Sequence, residues 1–173
     1  MKNIQEDFRL KSIGHVRIEG DTPDKMKFYI DIKEKYRSAL KQLGNFSHVI
    51  SLFWFHENDR EEIRNQKNWT TVPPYGENTP ETGIFATRSE CRPNLIGLTT
   101  SKIISVDEKK GIVQIEGTDA IEGTPVLDLK AYFPISDRIR DCRIAPWLQG
   151  WPEWQEEGYE WWVKQGFFDE YEG

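Results

Sequence analysis

The sequence predicts a mainly β fold: a small single-domain barrel or strongly bent sheet, with short helices and an aromatic C-terminal tail. Three observations point there. Segments rich in β-branched and aromatic residues recur from the N-terminal region to Pro134. Their separators are short clusters of Gly, Pro, Asp and Lys rather than long amphipathic helices. The alternating βαβ pattern and the glycine-rich strand-to-helix turn of a doubly wound fold are both missing.

The elements follow in order. KSIGHVRIEG and MKFYIDI predict two early strands parted by a turn at Gly20-Asp21-Thr22-Pro23. KEKYRSALKQLG predicts a short helix or helical turn closed by Gly44, with Tyr36, Leu40 and Leu43 on one face. FSHVISLFWFH is apolar enough to be a buried strand crossing the core. From Glu57 to Thr82 the chain is polar and interrupted by Pro73, Pro74, Gly76 and Pro80, which predicts a long surface excursion. GLTTSKIISVDE and GIVQIEGTDA predict a hairpin turning at Lys109-Lys110-Gly111, and EGTPVLDLKAYFP a turn leading into a further strand.

At 173 residues, with 37% hydrophobic and 30% charged side chains, the chain can bury one core without disulfides or structural metal. Cys91 and Cys142 lie far apart with no CxxC spacing, so neither a disulfide framework nor a metal site is predicted. No apolar run approaches the ~20 residues that span a bilayer, and MKNIQEDFRLK is charged where a signal peptide is apolar. A cytoplasmic protein without a membrane segment is expected. The net charge of -6 is carried by the tail: residues 146–173 hold seven acidic side chains and one basic, and residues 1–145 hold 22 of each sign. A neutral body leaves a nucleic-acid partner open, where uniform acidity would argue against one. The expected division is therefore a barrel domain over 1–145 and a tail over 146–173. The tail holds five of the seven tryptophans, which gain by burial against the barrel or a partner subunit.

The chemistry concentrates in two stretches. Gly83-Ile84-Phe85-Ala86-Thr87-Arg88-Ser89-Glu90-Cys91-Arg92-Pro93-Asn94-Leu95-Ile96-Gly97-Leu98 sets two arginines four apart beside Ser, Asn and Gly/Pro backbone. Such donors suit phosphate, carboxylate or nucleobase atoms, although exposed arginines in a plain turn would look the same. Glu122-Gly123-Thr124-Pro125-Val126-Leu127-Asp128-Leu129-Lys130-Ala131-Tyr132 joins a turn to a strand. Gly123 and Thr124 offer backbone N–H groups and a hydroxyl there, and Glu122 an acceptor. On that strand Asp128 and Lys130 share a face, as an ion pair or as polar groups of a site. His56, at the end of an apolar strand, reads equally as a hydrogen-bonded structural residue or a ligand contact.

These stretches resemble the GVFATRSPFRPNPIG and DGTPVLDIKPY signatures of the TrmO/TsaA-like family of S-adenosylmethionine-dependent tRNA methyltransferases. Phe46-Ser47-His48 through Phe53-Trp54-Phe55-His56 is similar to the family's FSH…LFWFH segment, and Ile13-Gly14 and Ser136-Asp137-Arg138 extend the likeness. Glu90, Leu95, Glu122 and Ala131 depart from the signatures, and the loop after the first strand is shorter than usual. The resemblance implies a compact β-barrel, usually a homodimer, that binds S-adenosyl-L-methionine without a dinucleotide-binding domain. It implies N6-methylation of threonylcarbamoyladenosine beside the tRNA anticodon. Carried over, the cofactor contacts are His56, Glu57, Arg88, Leu98, Glu122, Gly123, Thr124 and Pro125, with Arg88 on the methionine carboxylate. Asn94, Asp128 and Lys130 are assigned to positioning the methyl acceptor. Arg88, Arg92, Lys102, Lys130, Arg138, Arg140 and Arg143 could form a basic path for tRNA. A small-molecule or protein substrate, or a non-catalytic binding module, are the rival readings.

Overall fold

The computed structural model describes residues 8–22, 25–76 and 78–165. Six strands close into an antiparallel barrel: β1 (Gly14–Glu19), β2 (Lys27–Ile32), β3 (His48–Trp54), β6 (Ile96–Asp107), β7 (Ile112–Ile115) and β8 (Pro125–Ala131). They run in the order β1-β2-β7-β6-β3-β8, and β8 pairs back to β1. Two short strands, β4 (Thr70–Thr71) and β5 (Thr82–Gly83), form a separate sheet. Every predicted strand of the barrel is present, and closure removes the open edges that a bent sheet would leave. The predicted helix after β2 is a 3-10 helix, Glu34–Leu40, which buries Leu40 and packs Tyr36 against the core, and a second 3-10 turn, Leu43–Asn45, brings in Leu43.

Alternation along each strand builds the interior. On β3, Val49, Ser51 and Phe53 point inward, and His48, Ile50, Leu52 and Trp54 point outward. Val16, Ile30, Ile32, Val113, Ile115 and Val126 complete the core from the other strands. Gly97 lies opposite Phe53, and a Cβ there would sit 2.2 Å from the ring, so only glycine lets β6 pass under it. The inward hydroxyls of β6 are satisfied by the loop after β7: Thr99 donates to Asp119 at 2.9 Å and Ser101 to the Gly117 carbonyl at 2.6 Å. That pairing draws Ala120 into the core.

The chain divides into two compact units, one running to Thr71 and resuming over Gly83–Arg138, the other made of Val72–Thr82 and Ile139–Gly173. The second unit joins part of the predicted excursion to the tail. Trp151 is its hub, with ring centroids 5.2 Å from Tyr75, 5.0 Å from Trp161 and 4.9 Å from Trp162. These edge and tilted contacts are the arrangements aromatic quadrupoles favour. Trp161 and Trp162 sit on the short helix Gly158–Lys164. The last eight residues of the tail lie outside the described residues.

Candidate functional site

Register brings most of the sequence-predicted residues to one end of the barrel and to the outer wall beside it. Trp54 pairs with Ile96 and Phe53 with Val126, so the end of β3 and the starts of β6 and β8 meet there. His56 and Glu57 occupy a 3-10 turn just past β3, their side chains 3.2 Å apart. The Phe55 N–H donates to the Leu95 carbonyl at 2.8 Å, which ties this turn to the segment before β6. Leu95 is fully buried, filling the place of the second proline of the RPNP signature, and leaves its neighbour Asn94 exposed.

Arg88 belongs to a loop held by its own hydroxyls. Thr87 is buried and donates to the Ile84 carbonyl at 2.8 Å, the Ser89 N–H donates to Thr87 Oγ1, and the Cys91 N–H donates to Ser89 Oγ. This local network is the kind that fixes a turn without regular secondary structure. It leaves Arg88 exposed, and its guanidinium makes no ion pair among the described residues. Phe85, on the same loop, is 81% exposed.

The turn before β8 is engaged differently from the sequence reading. The Gly123 N–H donates to the Val16 carbonyl at 2.9 Å and the Thr124 N–H to the Ile121 carbonyl at 3.2 Å. Neither backbone donor is open to a ligand, because the turn extends the β8 to β1 pairing. Glu122 Oε2 accepts from the Ile18 N–H, so its carboxylate also anchors β1. Thr124 is buried and Pro125 pairs with His15 in register.

Leu98, Asp128 and Lys130 share the outer wall. Leu52 pairs with Leu98 on one side and Asp128 on the other, and Ile50 pairs with Lys130, so these side chains project from one surface of β6-β3-β8. Asp128 and Lys130 form an ion pair at 2.7 Å, and the carboxylate also accepts from the Leu129 N–H at 2.9 Å. The hydrogen bond and charge of Asp128 hold the Lys130 ammonium above its ordinary pKa. The pair is thus locally neutral and its lysine stays protonated.

Of the basic path expected from the sequence, two members of the barrel unit are paired with carboxylates. Lys102 lies 3.8 Å from Glu116, Lys130 is taken by Asp128, and Arg140 and Arg143 belong to the second unit. Of that set in the barrel unit, Arg88 and Arg92 are the cations without a described ion pair, Arg138 having partners of its own.

A cluster that sequence reasoning did not single out flanks the His56 turn. The Trp54 indole N–H donates to Asp59 at 2.9 Å, Arg64 donates to the other carboxylate oxygen at 2.5 Å, and its guanidinium lies 5.3 Å from the Trp54 ring centre. The only trace in the sequence is an acid and a base five apart after FWFH. The hydrogen bonds from Arg64 and then Trp54 hold the Asp59 carboxyl below its usual pKa. A lowered folded-state value means that the contribution is present above the ordinary carboxylate pKa and is lost as pH falls through the lowered one. Exposure of both partners keeps it small. On acid titration, the emission of Trp54 is expected to change as Asp59 protonates, and Asp59→Asn should abolish that step. Identical titration curves for the two proteins would refute the assignment.

Residues 10–138 match the family described as the tRNA-methyltransferase O N-terminal domain. An S-adenosyl-L-methionine-binding protein of Archaeoglobus fulgidus is 36% identical over 139 residues, covering 75% of this chain and 93% of the relative. A tRNA (adenine(37)-N6)-methyltransferase of Mus musculus is 45% identical over 106 residues, 61% of this chain, but the match spans only 23% of that longer protein. The crystal structure of TrmO from Pseudomonas aeruginosa superposes with a TM-score of 0.61 at 24% identity, over 92% of this chain and 74% of that one, a likeness of fold.

Proposed function

Because the chain belongs to the tRNA-methyltransferase O N-terminal domain family, we propose that it is an S-adenosylmethionine-dependent methyltransferase acting on N6 of threonylcarbamoyladenosine 37 in tRNA, the position named for its mammalian relative. The observation that carries this reading is the convergence of His56, Glu57, Asn94 and the Glu122–Pro125 turn at one barrel end.

The residues present fit the cofactor. S-adenosylmethionine supplies an electrophilic sulfonium methyl, and no covalent nucleophile is needed from the protein. Arg88, exposed and without an ion pair among the described residues, suits a carboxylate through two parallel hydrogen bonds. His56 and Glu57 offer polar atoms for ribose or amine groups, and Leu98, 39% exposed, offers an apolar face. With the N–H groups of Gly123 and Thr124 engaged, the turn serves by its shape and by the remaining Glu122 oxygen. Asn94 is placed to position the acceptor base. Asp128 and Lys130 act as a fixed dipole at the wall, because an ion-paired carboxylate is a poor proton acceptor. Orientation of the acceptor amine and exclusion of water are then the protein's main contributions.

A homodimer belongs to this proposal, supported by the outward aliphatic row of Ile50, Leu52 and Leu98. A cytoplasmic site of action follows from a tRNA substrate; among the described residues no helix is long and apolar enough to cross a membrane. The test uses S-adenosylmethionine with a labelled methyl group and tRNA bearing threonylcarbamoyladenosine, followed by mass spectrometry of the nucleosides. The expected result is one added methyl on that nucleoside. Label transferred only to a small molecule or protein would replace the substrate, and no cofactor binding at millimolar concentration would overturn the reading.

A further inference from the structure

A second recess lies on the outer wall of β1 and β2, beside the β6-β7 hairpin, where His15 pairs in register with Pro125 of β8. It has a volume of about 410 Å³ and is lined by the charged groups of Arg17, Asp31, Lys33, Glu34, Arg37 and Lys110, with His15 and the apolar Ile32 and Ile112. The register explains the gathering: His15 pairs with Asp31 and Asp31 with Ile112, so β1, β2 and the β6-β7 hairpin present one surface. Lys33 and Arg37 follow directly from β2 along the 3-10 helix.

The charges divide into a neutral half and a cationic half. Arg17 donates twice to Asp31, at 2.6 and 3.2 Å, and also to Glu19, and its guanidinium lies over the Tyr29 ring. Those groups satisfy one another. Lys33 gives one hydrogen to the Ser12 carbonyl at 2.9 Å and has two left. The Lys110 side chain is 75% exposed and only loosely paired, 3.8 Å from Asp107. Arg37 reaches the Lys109 carbonyl at 3.3 Å, yet its Nε is buried with no hydrogen-bond partner. Against these three cations stand two carboxylates, Glu34 in the lining and Asp107 beside Lys110.

The position of Arg37 is built in. It lies against Gly111, whose φ is +77°, and a Cβ there would come within 2.6 Å of Arg37 Cγ and 2.7 Å of Nε. Glycine at the hairpin turn thus serves two ends: it permits the left-handed backbone and clears room for the guanidinium. An orphaned guanidinium N–H is costly in a folded protein, and an oxyanion that draws the side chain outward recovers that cost.

We propose that this recess is a phosphate-binding subsite for the tRNA backbone; the inference rests on the tRNA reading above. The His15–Pro125 pair joins this surface to the Glu122–Pro125 turn, so one tRNA can reach both. Three cations with spare donors fit phosphodiester contacts that position a substrate without reading its sequence.

The test is binding of fluorescently labelled tRNA across a salt series by wild type, Arg37→Gln and the double variant Lys33→Gln/Lys110→Gln. Both lysines are exposed, so the double variant keeps the question open should Arg37→Gln fold poorly. Each variant is expected to bind tRNA roughly tenfold more weakly at low salt, with a log–log salt slope shallower by about 1 per lost phosphate contact. Cofactor affinity and melting temperature should match wild type. Unchanged tRNA affinity and slope in the double variant would overturn the subsite alone. A wild type that binds S-adenosylmethionine but no tRNA would overturn the subsite together with the tRNA reading and leave the cofactor reading standing.

Discussion

Phe53→Ala is expected to destabilise the protein by about 3–5 kcal/mol, the range for deleting a fully buried aromatic side chain. The ring is 1% exposed and meets Phe55 edge to face at 5.4 Å. It also lies against Gly97, which has no side chain to move into the space left behind. A site that cannot collapse keeps its cavity, and the cost lies toward the upper end of the range. At roughly 2–4 °C per kcal/mol for a chain of this size, the melting temperature should fall on the order of 10 °C. A double-mutant cycle isolates the contact: Gly97→Ala should be strongly destabilising in wild type, where the new methyl meets the ring, and nearly neutral in the Phe53→Ala background. Additive effects, or a loss below about 1 kcal/mol for Phe53→Ala, would show that the ring is not packed as described.

The same residues show what sequence could reveal. Period-2 alternation in HVISLFW and the Lys109-Lys110-Gly111 turn made the strands and the hairpin legible, because both are local patterns. The cyclic order was not legible: β2 meets β7 and β3 lies between β6 and β8, pairings set by closure of the whole sheet. Nor does any local pattern tie Tyr75 to Trp151 across most of a hundred residues. The motifs of β6 and β8 fall around one barrel end and its wall, since Ile96 and Val126 both meet the end of β3. What each residue does there depends on contacts that spacing does not encode. Glu122 anchors the Ile18 N–H, Gly123 spends its donor on Val16, and Lys102 and Lys130 each face a carboxylate. The recess around Arg37 drew on three separate elements and carried no motif at all.

Arg88→Ala is expected to weaken S-adenosylmethionine binding by about 1.5–3 kcal/mol, the worth of a hydrogen bond to a charged group, or roughly 10- to 150-fold in Kd. The prediction is clean because Arg88 is exposed and has no ion pair among the described residues, while the turn around it is held by Thr87 and Ser89. Removing the guanidinium should therefore leave the melting temperature of the free protein within about 1 °C, as for other surface substitutions. Arg88→Lys should recover only part of the affinity, since a point charge replaces a planar fork that matches a carboxylate through two bonds. The loss should also be smaller for a cofactor analogue lacking the methionine carboxylate, because the partner is then missing in both proteins. Titration calorimetry of wild type and the two variants, with S-adenosylhomocysteine and with an analogue that ends in an amide, measures each of these. Equal Kd values for wild type and Arg88→Ala would remove Arg88 from the site. An undiminished loss with the amide analogue would instead move its contact from the carboxylate to another part of the cofactor.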